Sequence, residues 1–163
     1  MDVLCRCVNS ALFLSHDLRR DARIYLVLLG GTDAPKTVMF DGAAVRSLNP
    51  DERSAGALIK KALELPAGEE FRESTRGVWV RRGGLERLLS EHSFSILDEH
   101  GEDIHTPGEI PDAFLLSDHM DFSPEEMELT RECQKYSVGP KILHADHTIT
   151  VLLNVKDRRE GKS

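Results

Sequence analysis

The stretch SVGPKILHADHT, Ser137 to Thr148, departs furthest from what an ordinary core strand carries. A glycine, a proline, a lysine and two histidines surround one apolar pair, Ile142 and Leu143. Val138-Gly139-Pro140 makes a tight backbone, because glycine lets another group approach the main chain and proline fixes φ and removes an N–H donor. Such a loop can wrap a small molecule with its N–H and C=O groups while the apolar side chains touch the molecule's flat part. Its position near the C-terminus implies a site completed late in the chain.

Upstream, short apolar segments alternate with helical patterns, which points to an α/β domain. Val3 to about Ser15 predicts a helix with Leu4, Cys7, Val8, Ala11 and Leu12 on one stripe. Its other face carries Arg6, Asn9, Ser10, Phe13 and His16, with Arg19, Arg20 and Arg23 just beyond. Ile24 to Leu29 is a continuous apolar run closed by Gly30-Gly31, the pattern of a strand buried on both faces in a mostly parallel sheet. Lys36 to Leu48 suggests a hairpin around Asp41-Gly42. Asn49, Pro50 and Glu52 suggest the capped start of a second helix, with Leu58, Ile59, Ala62 and Leu63 as its stripe.

Pro66 to Arg76 is polar and loop-like. Gly77 to Arg81 predicts a strand, Leu85 to Glu91 a short helix, and Phe94 to Leu97 another strand entering an acidic turn, Asp98 to Asp103. Ala113 to Leu116 is a short strand leading into Ser117-Asp118-His119-Met120-Asp121-Phe122. Ser123-Pro124-Glu125-Glu126 is a helix start, with the helix ending near Cys133. Tyr136 to Val138 is strand-like. From Ala145 to Arg158 the pattern fits either a strand or a helix, and a frayed tail is expected after Val155.

The chain has 163 residues, 40% of them apolar and 30% charged. That is the size and mix of a single globular domain, residues 1–163, with enough chain to bury a core. The absence of a membrane-length apolar run, and of a secretory leader at the start of the sequence, makes a cytoplasmic protein the expectation. Three cysteines form no disulfide framework. Cys5 and Cys7, two positions apart on a helix, point about 200° away from each other and are expected to be buried apolar side chains. The net charge of −7 argues against coating nucleic acid at random and leaves room for a local basic face.

Four chemistries are possible. The loops after Leu97, Leu116 and Ser137 suit a ligand gathered outside the carboxyl ends of strands, and neither a GxGxxG nor a Walker A loop is present. A metal cluster from His144, His147, Asp118, His119 and Asp121 is the weaker alternative, because HxxH lacks the glutamate and spacing of a zinc-protease motif. No serine sits in a nucleophile elbow. The arginine-bearing face of the first helix can hold phosphates, with Phe13 available to stack on a base, or can be simply a solvated face.

LCRCVNSALFLSHDLRRD (Leu4 to Asp21), RIYLVLLG (Arg23 to Gly30), DERSAGALIKKAL (Asp51 to Leu63) and SVGPKILHADH (Ser137 to His147) resemble the archaeal tRNA pseudouridine N1-methyltransferases. That family acts at position 54 in the T loop and belongs to the SPOUT superfamily. The resemblance implies a homodimeric α/β domain whose mostly parallel sheet has helices on both faces. It also implies a deep C-terminal trefoil knot binding S-adenosylmethionine, and makes the ambiguous last element a helix in the knot and dimer interface. By position, the cofactor residues would be Leu97, Ser117, Val138, Gly139, Pro140, Lys141, Ile142, Leu143 and Thr148. Asp118 and His119 would assist removal of the acceptor's proton. Arg6, Asn9, Ser10, His16, Arg19 and Arg20 would meet the tRNA T loop, and neither metal nor membrane is involved.

Ser117 and Asp121 stand where the family usually has glycine, and Thr148 where it has cysteine. The family's strand upstream of the first helix is missing from the sequence, so an exposed sheet edge is expected. The alternative is a catalytically weakened or inactive RNA-binding dimer of the same fold.

Overall fold

The computed structural model describes residues 2–14, 17–30, 35–46, 48–49, 52–106, 110–116, 122–139 and 143–160. They form two compact units, Met1–Arg87 and Leu88–Ser163. In the first, α1 (Asp2–Leu12) is followed by β1 (Arg23–Leu28), β2 (Lys36–Asp41), α2 (Glu52–Glu64), β3 (Arg72–Thr75) and β4 (Val78–Arg82). The strands form one sheet in the order β1-β2-β4-β3, every pair antiparallel. Ile24 lies opposite Phe40 and Phe40 opposite Val78, while Leu26 lies opposite Val38 and Val38 opposite Val80. Leu26, Val38, Phe40, Val78 and Val80 are all buried, and with Val8, Leu12, Ala55, Ile59 and Ala62 of the helices they make the core. Each large side chain so buried contributes about 1.5–3 kcal/mol over leaving it in water. Cys5 and Cys7 are buried, as expected from the burial tendency of free cysteine, and Cys5 lies against α2 at Gly56.

Three strand expectations are corrected here. The Ile24–Leu29 run is not a doubly buried parallel strand: β1 ends an antiparallel sheet and only Leu26 of it is fully buried. The hydrophobic run specifies apolar surroundings, not which strand lies centrally, and the central buried strand is β2. Asp41-Gly42 is no hairpin turn, since Ala44 to Arg46 carry no strand and β2 pairs with β1 and β4. Gly42 is there because the 19–22 turn folds onto it. Its N–H donates to Ala22 O at 2.8 Å, and a Cβ would collide with the carbonyl of Arg19. Finally, polar Arg72–Thr75 is not loop but the outermost strand β3, which needs no apolar pattern because its side chains are largely exposed.

α3 (Leu85–Glu91) forms as expected. The second unit holds β5 (Ser95–Asp103), β6 (Phe114–Leu115), α4 (Pro124–Leu129), β7 (Lys135–Ser137) and α5 (Ala145–Glu160). Here both β6 and β7 run parallel to β5, so parallel pairing exists but is confined to three strands. The acidic turn expected at Asp98 to Asp103 lies inside β5. Leu97 and Glu102 both oppose Tyr136, so residues 98–101 bulge from the ladder, and Asp98 Oδ1 accepts the His100 N–H at 2.9 Å. The capping box at Ser123 is present: Glu126 N–H donates to Ser123 Oγ and Ser123 N–H to Glu126 Oε1. α4 stops at Leu129, short of Cys133, where Thr130 Oγ1 donates to Glu126 O. The ambiguous final element is a helix, and it runs to Glu160 rather than fraying after Val155. The expected cap of α2 falls partly on residues 50 and 51, outside the described ones; Asn49 N–H donates to Ser54 Oγ instead.

Candidate functional site

In the second unit, the parallel strands β6 and β7 lead at their carboxyl ends to Leu116 and to Val138-Gly139. β7 ends in Ser137 and continues through Val138 and Gly139. Under them, Ile104, Leu152 and Val155 form a buried cluster against which Leu97, Phe114, Tyr136 and Val138 pack. Two residues expected to hold the cofactor, Leu97 and Val138, are thus brought onto one apolar floor. Phe114 and Tyr136 meet edge to face with ring centroids 6.1 Å apart, stiffening that floor across β5.

Ser137 holds the loop. Its hydroxyl donates to Gly139 O at 3.0 Å and accepts from Gly139 N–H at 3.3 Å, a short side-chain-to-backbone turn. A Cβ on Gly139 would meet nothing within 4 Å among the described residues, so crowding inside the chain does not explain the glycine. Leu143 is 40% exposed. Thr148 is half-buried in the first turn of α5, and its hydroxyl donates to His144 O at 3.1 Å, so it is engaged with its own helix. Ser117, Asp118, His119, Asp121, Pro140, Lys141 and Ile142 lie outside the described residues.

Sequence reasoning missed two contributors. Ser137 was seen only as a serine without a catalytic partner, although a hydroxyl two residues before a glycine is the signal of such a turn. Gly101 was unremarked in the acidic run. A Cβ there would sit 2.5 Å from Tyr136 N, so only glycine lets β5 and β7 approach after the bulge. His144 and His147 pack ring edge to face at 6.0 Å, and His147 Nε2 lies 3.7 Å from Asp146 Oδ2. Among the described residues no group of three or more His, Cys, Asp or Glu is placed to hold a metal ion.

The residues expected to meet RNA lie in the first unit. Arg6, Asn9 and Ser10 are half-buried on α1, and His16 lies outside the described residues. Asn9 Oδ1 is sealed from solvent with no hydrogen-bond partner among the described residues. Arg19 is half-buried where the 19–22 turn meets Gly42. Arg20 is exposed but committed: Nη1 donates to Gly42 O at 3.0 Å and Val45 O at 3.4 Å, and Nη2 lies 3.8 Å from Asp17.

The carboxyl ends of parallel strands, here beside an apolar cluster, are where α/β proteins bind a small ligand. The family model described as "Putative SAM-dependent RNA methyltransferase" matches residues 1–161, and the chain belongs to that family. It is 56% identical over 163 residues to a protein of Methanocorpusculum labreanum named tRNA (pseudouridine(54)-N(1))-methyltransferase, covering 98% of this chain and 84% of the relative. A protein of the same name from Methanospirillum hungatei is 52% identical, over 99% of this chain and 84% of the relative. Among solved structures, Archaeoglobus fulgidus Nep1 bound to S-adenosylhomocysteine superposes with a TM-score of 0.67 at 18% identity, covering 98% of this chain and 71% of Nep1, a likeness of fold.

Proposed function

We propose that this chain transfers a methyl group from S-adenosylmethionine to N1 of pseudouridine at position 54 in the T loop of tRNA. The observation that carries the assignment is the 56% identity, over nearly the whole chain, to a relative that bears that activity in its name. The site's own chemistry agrees. An adenine ring is recognised by main-chain donors and acceptors between aliphatic walls, and Val138 and Leu97 pack against one apolar cluster beside Gly139, where a Cβ would meet nothing within 4 Å among the described residues. With Ser117, Pro140, Lys141, Ile142, Leu143 and Thr148, these residues form our proposed cofactor site. When bound, S-adenosylmethionine supplies a methyl group already activated on a sulfonium sulfur.

The protein's remaining work is to orient the acceptor base and to take the proton from its N1. We assign proton removal to Asp118 and His119, and the RNA contact to Arg6, Asn9, Ser10, His16 and Arg19. Arg20 braces that surface through Gly42 and Val45. The working form in this reading is a knotted homodimer, each subunit one methyltransferase domain, acting in the cytoplasm where tRNA is found. α5 suits a dimer because Leu153 lies about 100° around the helix from Leu152 and about 160° from Val155, the two residues that belong to the buried cluster. Among the described residues no helix is long and apolar enough to cross a membrane.

The test is methyl transfer from labelled S-adenosylmethionine to two T-arm RNAs, one with pseudouridine and one with uridine at position 54. Label is expected only in the first. Cofactor binding without transfer to either would favour an RNA-binding dimer that has lost turnover.

A further inference from the structure

We propose that an open cavity near the C-terminal end of α5 binds a backbone phosphate of the RNA substrate. The proposal rests on the RNA-methyltransferase reading for the identity of the polymer and on geometry for the site. The cavity measures about 270 Å³ and is lined by His105, Asn154, Val155, Arg158 and Arg159. That is just below the roughly 300–1,000 Å³ usual for small-molecule sites, so the lining and not the volume decides what the cavity takes.

Among the described residues the lining is rich in N–H donors and contains no carboxylate. Two of the donors are held in place. Arg159 Nη2 donates to Ile104 O at 2.8 Å and Thr106 O at 2.9 Å, which fixes the guanidinium plane. His105 is tied twice to Asp103 Oδ1, by its main-chain N–H at 2.9 Å and its Nδ1 at 3.0 Å, which fixes the ring; its Nε2 donates to a phosphate oxygen in the imidazolium form. Arg158 and Asn154 are exposed one helical turn apart, and Arg158 makes no ion pair among the described residues. A fixed guanidinium beside a second, unengaged one is the donor geometry that phosphate oxygens take.

The surroundings make this arrangement unusual. Residues 88–163 hold sixteen Asp and Glu against seven Lys and Arg, so a donor-lined cavity is not their average surface. It also stays accessible in the proposed dimer, because Ile149 and Leu153 lie on another side of α5 from Asn154 and Arg158.

The experiment compares wild type, Arg158→Gln and Arg158→Lys for binding of a T-arm stem–loop over a range of salt. Arg158→Gln is expected to weaken RNA binding about 3- to 10-fold and to lower the slope of log affinity against log salt by about 1, with Arg158→Lys near wild type. S-adenosylmethionine affinity, read by calorimetry, is expected to be unchanged in both. Equal RNA affinity and slope in Arg158→Gln and wild type would overturn the proposal. So would a cavity that takes inorganic phosphate, seen by the His105 imidazole NMR signal, while RNA binding ignores the substitution. If wild type transfers no methyl group yet Arg158→Gln still loses the slope, the activity reading falls and the phosphate site stands.

Discussion

At the scale of single residues, Gly139 separates folding from binding. Nothing among the described residues crowds it, so Gly139→Ala is expected to leave thermal stability within about 0.5 kcal/mol of wild type, as for other changes away from packed positions. A methyl group on the open backbone would stand where the cofactor is proposed to approach, so affinity for S-adenosylmethionine is expected to fall tenfold or more. A stable variant with unchanged calorimetric affinity would remove Gly139 from the site. Asp103 supports a pH prediction. The main-chain N–H and then the ring of His105 hold its carboxyl below the ordinary aspartate value of about 3.9. Because the folded value is the lower one, whatever stability the contact gives is present above the ordinary value and lost as pH falls through the depressed one. Carboxyl NMR should place the Asp103 midpoint below that of a free aspartate. His105→Ala should move it only part way back, since the backbone N–H remains.

At the scale of elements, Gly101 shows how one position sets a strand pair. The bulge at residues 98–101 returns β5 to Tyr136 and Ser137, and a Cβ on Gly101 would lie 2.6 Å from Lys135 C and 2.7 Å from Tyr136 C. Gly101→Ala is therefore expected to destabilise the second unit by about 1–3 kcal/mol, the usual cost of overpacking, and to weaken cofactor binding by moving β7 under its loop. Denaturant unfolding and calorimetry would show both effects; a stable variant would mean that the bulge can shift freely. The same contrast explains what was readable beforehand. Helices other than α5 were legible because their signals are local: the Ser123–Glu126 cap and the Cys7-Val8-Ala11-Leu12 stripe are complete within a few residues. Strand partners were not, because Ile24 to Leu28 looks the same at the end of an antiparallel sheet as in the middle of a parallel one. β3 was invisible since Arg72 to Thr75, outermost in its sheet, has no apolar face to display. In the site, Val138 and Gly139 stood out by composition. The roles of Ser137 and Gly101 depend on backbone geometry that composition does not carry.

At the scale of the whole molecule, charge is unevenly divided. Residues 1–87 hold fourteen Lys and Arg against twelve Asp and Glu, a net of plus two, whereas residues 88–163 carry minus nine. A polyanion is therefore repelled from most of the second unit and must be held by a few well-placed cations, not by a general basic field. With Arg20 bracing Gly42 and Val45, the phosphate contacts proposed above are Arg6, Arg19 and the Arg158 cavity. About three such contacts predict a slope of roughly −2 to −3 for log affinity against log salt. Between 50 and 200 mM salt that amounts to about a 20- to 60-fold loss of tRNA affinity. Cofactor binding, proposed to depend on main-chain groups and an apolar floor, should hardly change over the same range. A slope near −10 would instead mean broad coating of the RNA by basic surface, which the excess of 28 Asp and Glu over 21 Lys and Arg opposes.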